Sequence, residues 1–339
     1  MQKNQNKEKN MKNLKKIIFA LLFISISNLF AKTLTFTEEK YSGSITFNDN
    51  VQLGDAIFVR LNIKFLKTQK KKNLKETQAV LKLFSNDRQI ECSRFFSITP
   101  QKEKNNKNEL LAAIPISTWL KLHENFSLKI IFEPNISEQK EITIPFHIKE
   151  KTFISETIDL NQANTDIKTD MSPERLEQIE KLNTIFETII SEDVYDLKKF
   201  IKPVIQDRKT SFFADRRLYR YTNNETSTSM HNGIDYGVPE GTEVSSCAAG
   251  KVVMAENRIS TGLSIVIEHL PGLYSVYYHL SSLNVKEGQI VKQGELIGLS
   301  GKTGLATGPH LHWEVRLNAL PVSPEFFLSD YTYSEGELN

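Results

Sequence analysis

In the stretch TGPHLHWEV, residues 307 to 315, His310 and His312 flank one apolar residue ahead of an alternating run. Successive side chains of a strand point to opposite faces, so the two imidazoles share a face and Leu311 takes the other. Such a pair is either two polar residues on a solvated face or part of a metal site. A second stretch, MHNGIDYGVPEGTEV, supplies His231 and Asp235 four residues apart. In an extended strand that separation is about 13 Å, too far for one ion. Gly233, Gly237, Pro239 and Gly241 oppose a helix. The arrangement left is a loop that curls at Gly233 and turns both side chains inward.

Imidazole and carboxylate suit first-row metals, and zinc takes them tetrahedrally at roughly 2.0–2.2 Å. Three protein ligands and one open position make a catalytic site, whereas a closed set of four is structural. The chain has neither paired Cys-x-x-Cys nor His-Glu-x-x-His, so a general base must come from elsewhere. The spare imidazoles are His279, in YSVYYHL, and whichever of His310 and His312 is not a ligand.

Together, HNGID, YYHL and TGPHLHWEV resemble the three signatures of lysostaphin-type (LytM-type) zinc endopeptidases, which cut peptide cross-links in peptidoglycan. The likeness runs over roughly residues 211 to 328 and takes in PEGTEVSSCAAGKVV and VKEGQIVKQGELIGLSGKTG. It implies one zinc ion per chain, held by His231, Asp235 and His312. It also implies that His279 and His310 form the catalytic pair, deprotonating the attacking water and stabilising the developing oxyanion. His269 has no place in the family's set and is read as structural. Arg216, Arg217 and Asn224, upstream of His231, are candidates to line the cleft or pair with substrate carboxylates.

The function implied is zinc-dependent hydrolysis of peptidoglycan cross-links. The alternative is a non-catalytic envelope protein that keeps the fold to bind peptidoglycan or activate another wall hydrolase. The glycine spacing of VKEGQIVKQGELIG also resembles biotinyl and lipoyl carrier domains, but the acceptor-lysine settings of those domains do not occur.

The elements that must position these residues are mostly strands. Residues 210–330 hold short strands punctuated by glycine, with LPGL as a hairpin turn, and read as a compact antiparallel β peptidase domain expected to carry the chemistry alone. Residues 32–150 also alternate: in IFVRLNIKF, Val59, Leu61, Ile63 and Phe65 point one way and Arg60, Asn62 and Lys64 the other. An immunoglobulin-like β-sandwich with one buried face per strand is expected there. His123 and His147 stand alone in it. Between the two lies a linker, 151–209. It opens with a polar stretch and contains a helix at 173–190, with Ser172 as N-cap, Pro173 at the first position and a stripe of Leu176, Ile179, Leu182, Phe186 and Ile189.

Residues 1–31 read as an export signal: Lys12, Lys15 and Lys16 precede the apolar run Ile17–Phe30, which ends at Ala31. That run is shorter than the ~20 residues that span a bilayer, so the mature protein is expected in the periplasm or cell envelope. The formal net charge of +2 includes six lysines and one glutamate of that segment, and without them it is about −3. A chain so nearly neutral has no electrostatic footprint for nucleic acid. The expected partners are peptidoglycan and, through residues 32–150, envelope proteins. Cys92 and Cys247 fall in different regions and are expected as free thiols.

Overall fold

The computed structural model describes residues 24–25, 31–65, 77–98, 107–134, 139–189 and 193–329. The expected export signal therefore lies, apart from Ile24, Ser25 and Ala31, outside the described residues. The described chain is mostly strand with few helices, as the alternation predicts.

The described residues up to 149 form two main sheets. One has the order Ile24–Ser25, Lys32–Thr37, Tyr41–Phe47, Ala56–Phe65, Lys107–Pro115 and Phe96–Ser97. The other runs Lys140–Phe146, Phe126–Glu133, Gln78–Ser85 and Arg88–Arg94. Both contribute to one apolar cluster, which includes Ile45, Leu61, Leu81, Leu128 and Ile144. The immunoglobulin-like assignment itself rests on the strand pattern of the sequence.

One expectation for this region changes. Strand Ala56–Phe65 is buried on both faces. Ile57, Val59, Leu61 and Ile63 enter the cluster just described, while Ala56 and Phe58 enter the core of the C-terminal half. Strand Lys107–Pro115 divides likewise, with Leu110, Ala112 and Ile114 on one side and Leu111 and Ala113 on the other. The physical cause is a second apolar partner. Phe58 stacks on Phe326, with ring centroids 6.2 Å apart, and meets Phe327 edge-on. Asn318 Nδ2 donates to the Ala113 carbonyl at 3.0 Å. Period-two alternation shows a strand, but it does not reveal what covers its second face.

The stretch following this region holds more structure than its polarity suggests. Strand β1 (Ser155–Asp159) pairs in parallel with β2 (Arg216–Arg220), which pairs antiparallel with β3 (Thr226–Met230). Helix α1 (Gln162–Thr169) follows β1, with Asn161 capping it through the Asn164 N–H at 2.9 Å. Its buried residues are the polar Asn164 and Thr165, so no apolar stripe marks it. Helix α2 (Pro173–Glu187) starts at the expected Ser172 cap and ends three residues before 190. Its stripe is only partly used: Phe186 is buried against Tyr274, whereas Leu176, Ile179 and Ile189 remain exposed. Polar contacts share the docking, including Arg175 Nε to Ser260 Oγ at 3.0 Å and Arg258 Nη2 to the Gln178 carbonyl at 3.0 Å.

The C-terminal sheet places β4 (Gly233–Tyr236), β8 (Leu311–Leu317), β7 (Leu273–Leu283), β6 (Gly262–Leu270) and β5 (Gly250–Arg258) side by side. Pro271 and Gly272 make the expected hairpin between β6 and β7, Gly272 at φ +78°. Trp313, Tyr277, Ile265 and Ile267 are fully buried in its core.

Candidate active site

Asp235 on β4 stands opposite His312 on β8 in antiparallel register. The stretch 233–236 is thus a strand and not the loop expected to curl at Gly233. Gly233 is there for another reason: a Cβ on it would meet the Trp313 carbonyl oxygen at 2.3 Å. The bend falls at His231 and Asn232, between β3 and β4. It is pinned by the His231 N–H donating to the Asp215 carbonyl at 2.9 Å and the Ala214 N–H donating to the His231 carbonyl at 2.7 Å. This bend brings two side chains four residues apart onto one point.

His231 Nε2 lies 3.0 Å from Asp235 Oδ1 and 3.0 Å from His312 Nδ1, and His312 Nδ1 lies 2.9 Å from Asp235 Oδ1. All three residues are buried. His231 Nδ1–H donates to the Phe212 carbonyl at 2.8 Å, so its Nε2 presents a lone pair to the cluster. Tetrahedral ligands about 2.05 Å from an ion stand about 3.3 Å apart. An outward shift of a few tenths of an ångström would admit a metal, and the donor set fits one.

His279 and His310 adjoin this cluster, with ring centroids 4.7 Å apart. Each donates Nδ1–H to a carbonyl, Thr303 and Gly308 respectively, at 2.8 Å, leaving Nε2 free to exchange a proton. His310 Nε2 is 3.8 Å from Asp235 Oδ1. His279 interrupts β7 at φ +62°, a left-handed conformation that costs a non-glycine residue about 1–3 kcal/mol. Its N–H donates to the Thr261 carbonyl at 2.9 Å, and that kink turns the ring into the site.

Charge in the cluster is strongly redistributed. Burial opposes ionisation of Asp235, but the adjoining His231 and His312 imidazoles outweigh it and hold the carboxyl well below its usual range. Burial would also lower His312, yet Asp235 and Glu314 raise it to about 9. Burial pushes His279 down to about 3, helped by the neighbouring His310 and His312. His279 is therefore neutral at ordinary pH, as a proton acceptor must be.

The three upstream candidates separate. Arg217 reaches the site, its Nη2 donating to Asp235 Oδ2 at 3.1 Å and its Nε to Glu156 Oε1 at 2.8 Å. Arg216 turns to the opposite face of β2, where its guanidinium lies 3.6 Å from the Trp119 ring centroid. Asn224 sits in the β2–β3 turn at φ +67°. Ile158, Leu160 and Tyr219 join His279, His310 and His312 around a cavity of about 100 Å³. His269 is fully buried away from the cluster, its Nδ1–H on the Ala249 carbonyl and its Nε2 2.7 Å from Ser275 Oγ. Glu156, Ile158 and Leu160 lie in no motif, and Glu314 lies within TGPHLHWEV without having been singled out. Glu314 alone had a signal, since it follows His312 by two residues on the same face of a strand.

Residues 229–324 match the model of peptidase family M23. The chain carries a peptidase family M23 domain. The family expected from the three motifs is the one found, and it implies a metal. The M23 region is similar to the DD-carboxypeptidase/endopeptidase Mpg of Neisseria meningitidis serogroup B, 39% identical over 124 residues, 37% of this chain and 28% of that protein. It is also similar to the peptidoglycan DD-endopeptidase ShyA of Vibrio cholerae, 43% identical over 116 residues, 34% of this chain and 26% of that one. The match thus spans little more than a quarter of either relative. A Pseudomonas aeruginosa crystal structure with a provisional peptidase M23 label shares the fold over 82% of this chain and 94% of its own, with a TM-score of 0.52 and 21% identity.

Proposed function

We propose that this protein is a zinc-dependent endopeptidase that hydrolyses peptide cross-links of bacterial peptidoglycan in the periplasm or cell envelope. One observation carries the reading: His231, Asp235 and His312 form a three-donor cluster, and two of these donors, Asp235 and His312, line a small cavity together with two further imidazoles, His279 and His310. The names of the Mpg and ShyA relatives support the substrate class.

In this reading His231 Nε2, Asp235 Oδ1 and His312 Nδ1 hold the ion, which when bound supplies a Lewis acid for the scissile carbonyl and lowers the pKa of water. Two imidazole nitrogens and one carboxylate would supply three donors, the number that goes with a catalytic and not a structural site. His279 and His310 lie beside the donors without belonging to them. Their Nε2 atoms take the proton of the attacking water and then donate to the carbonyl oxygen as it becomes charged. The left-handed backbone at His279 is consistent with strain held at a working residue.

Ligand pockets usually enclose about 300–1,000 Å³. The cavity here is about 100 Å³, room for the reacting groups and not for a whole peptide, which must extend beyond it. The deciding experiment incubates the full mature chain with purified sacculi, with and without chelator, and identifies released peptides by mass. Chelator-sensitive release of cross-link fragments is expected. Tight binding of sacculi with no release from any wall preparation would favour the non-catalytic reading.

A further inference from the structure

We propose that strand β1, which lies outside the residues matched to the M23 family, is part of the active site. In it Glu156 anchors Arg217, and Arg217 is a positioning residue for the Asp235 carboxylate. The inference rests on the reading that Asp235 is a metal ligand.

Asp235 has two oxygens with different surroundings. Oδ1 faces His231 Nε2 and His312 Nδ1, while Oδ2 accepts from Arg217 Nη2 at 3.1 Å. A carboxylate on a short side chain can rotate, exchange oxygens or bind in bidentate fashion. A guanidinium on Oδ2 removes those options and leaves Oδ1 toward the imidazoles. Arg217 is itself fixed: Nε donates to Glu156 Oε1 at 2.8 Å, and Nη2 also contacts Ser211 Oγ. Only 13% of its side chain is exposed, so these charge-assisted bonds form largely out of water.

The register explains why the chain needs the extra strand. Glu156 on β1 and Arg217 on β2 are direct partners in the parallel ladder, as are Ile158 and Tyr219. All four side chains therefore share the face of the sheet turned to the metal cluster, and Ile158, Arg217 and Tyr219 line its cavity. Without β1, Arg217 would lose the carboxylate that holds its Nε, and the cavity would lose a wall. Outer partners that orient a ligand typically account for 10–100-fold in metal affinity.

The test uses the full chain and two probes, Zn2+ competed against a fluorescent chelator and Co2+ followed by its visible spectrum. Arg217→Ala is expected to weaken Zn2+ binding about 10–100-fold and to shift the Co2+ bands, with Arg217→Lys between it and wild type. Glu156→Gln, at a partly exposed site, is expected to weaken binding in the same direction. The double variant Glu156→Gln/Arg217→Ala is expected to be no weaker than Arg217→Ala, because the two act in series. A lowered thermal midpoint with unchanged Zn2+ affinity and Co2+ spectrum would overturn the proposal, as would single losses that multiply. If Arg217→Ala does not fold, Glu156→Gln against wild type decides alone. Failure of the metal reading looks different: wild type itself would then retain no stoichiometric Zn2+.

Discussion

Glu314 Oε2 stands 3.8 Å from His312 Nε2, across the imidazole from the nitrogen that faces Asp235 and His231. Glu314 is 1% exposed, and Arg316 donates to its other oxygen from Nε at 3.0 Å and from Nη2 at 2.6 Å. Burial alone would raise its pKa, but Arg316 and His312 hold it down at about 2, so a full charge backs the ring. A carboxylate behind a ligating histidine fixes its orientation and raises its basicity. Glu314→Gln should therefore lower Zn2+ affinity about 10–100-fold in a chelator competition. Unchanged affinity would mean that Glu314 serves Arg316 alone.

The three donors should be individually required. Replacing His231, Asp235 or His312 with Ala should leave well under one zinc per chain, measured by elemental analysis after gel filtration. His310→Ala should keep its zinc. Full occupancy in His312→Ala with loss in His310→Ala would mean that the roles of the pair are reversed.

His279 and His310 should divide binding from turnover. Each Ala substitution should leave zinc content intact and lower cleavage of peptidoglycan by roughly 10²–10⁴-fold, the usual contribution of a positioned acid or base. Relief of the left-handed backbone is not available to Ala, so His279→Gly separates strain from chemistry: the midpoint should rise above that of His279→Ala while activity stays lost. Recovery of turnover in His279→Gly would rule out a proton-transfer role for the ring.

His269 gives a pH signature of its own. Burial lowers its pKa to about 4, against 6.5 in an unfolded chain, with Asp196 and the Ala249 carbonyl only partly compensating. Between those values the unfolded chain binds a proton that the folded chain refuses, so stability is complete above about pH 6.5 and falls as pH drops toward 4. The difference amounts to roughly 3 kcal/mol. Thermal midpoints of metal-free protein from pH 4 to 7 should slope less steeply in His269→Gln than in wild type. Parallel curves would assign the slope to other groups.

How much of this could be read from residues alone depends on how local the cause was. The five histidine and aspartate positions were legible because each sits in a short motif. Their meeting point was less so: the Asn232-Gly233 pair signals a turn, but the bend falls at His231 and Asn232, and Gly233 itself lets β4 approach the Trp313 carbonyl. Helix α2 announced itself through Ser172 and Pro173. Helix α1 did not, because it buries Asn164 and Thr165 in place of apolar residues. Arg217 was noticed as a charge near the first motif, but its partners lie 61 residues before it and 18 after it, at distances no pattern encodes. Strand β1 was invisible for the same reason: its five residues pair with a strand on the far side of two helices in sequence.

Strands Ala56–Phe65 and Lys107–Pro115 each lend alternate side chains to both halves of the molecule. Modules that move between genes by recombination have a seam, a polar surface along which each part can be cut free and still dissolve. Among the described residues no such seam divides these two halves. Separated here, the catalytic portion would bare Phe213, Phe326 and Phe327, and its neighbour would bare Phe58 and Leu111. A substitution that shrinks Phe58 or Leu111 in the amino-terminal sheets would therefore loosen the core that also holds Trp313 and Ile234 of the carboxy-terminal sheet.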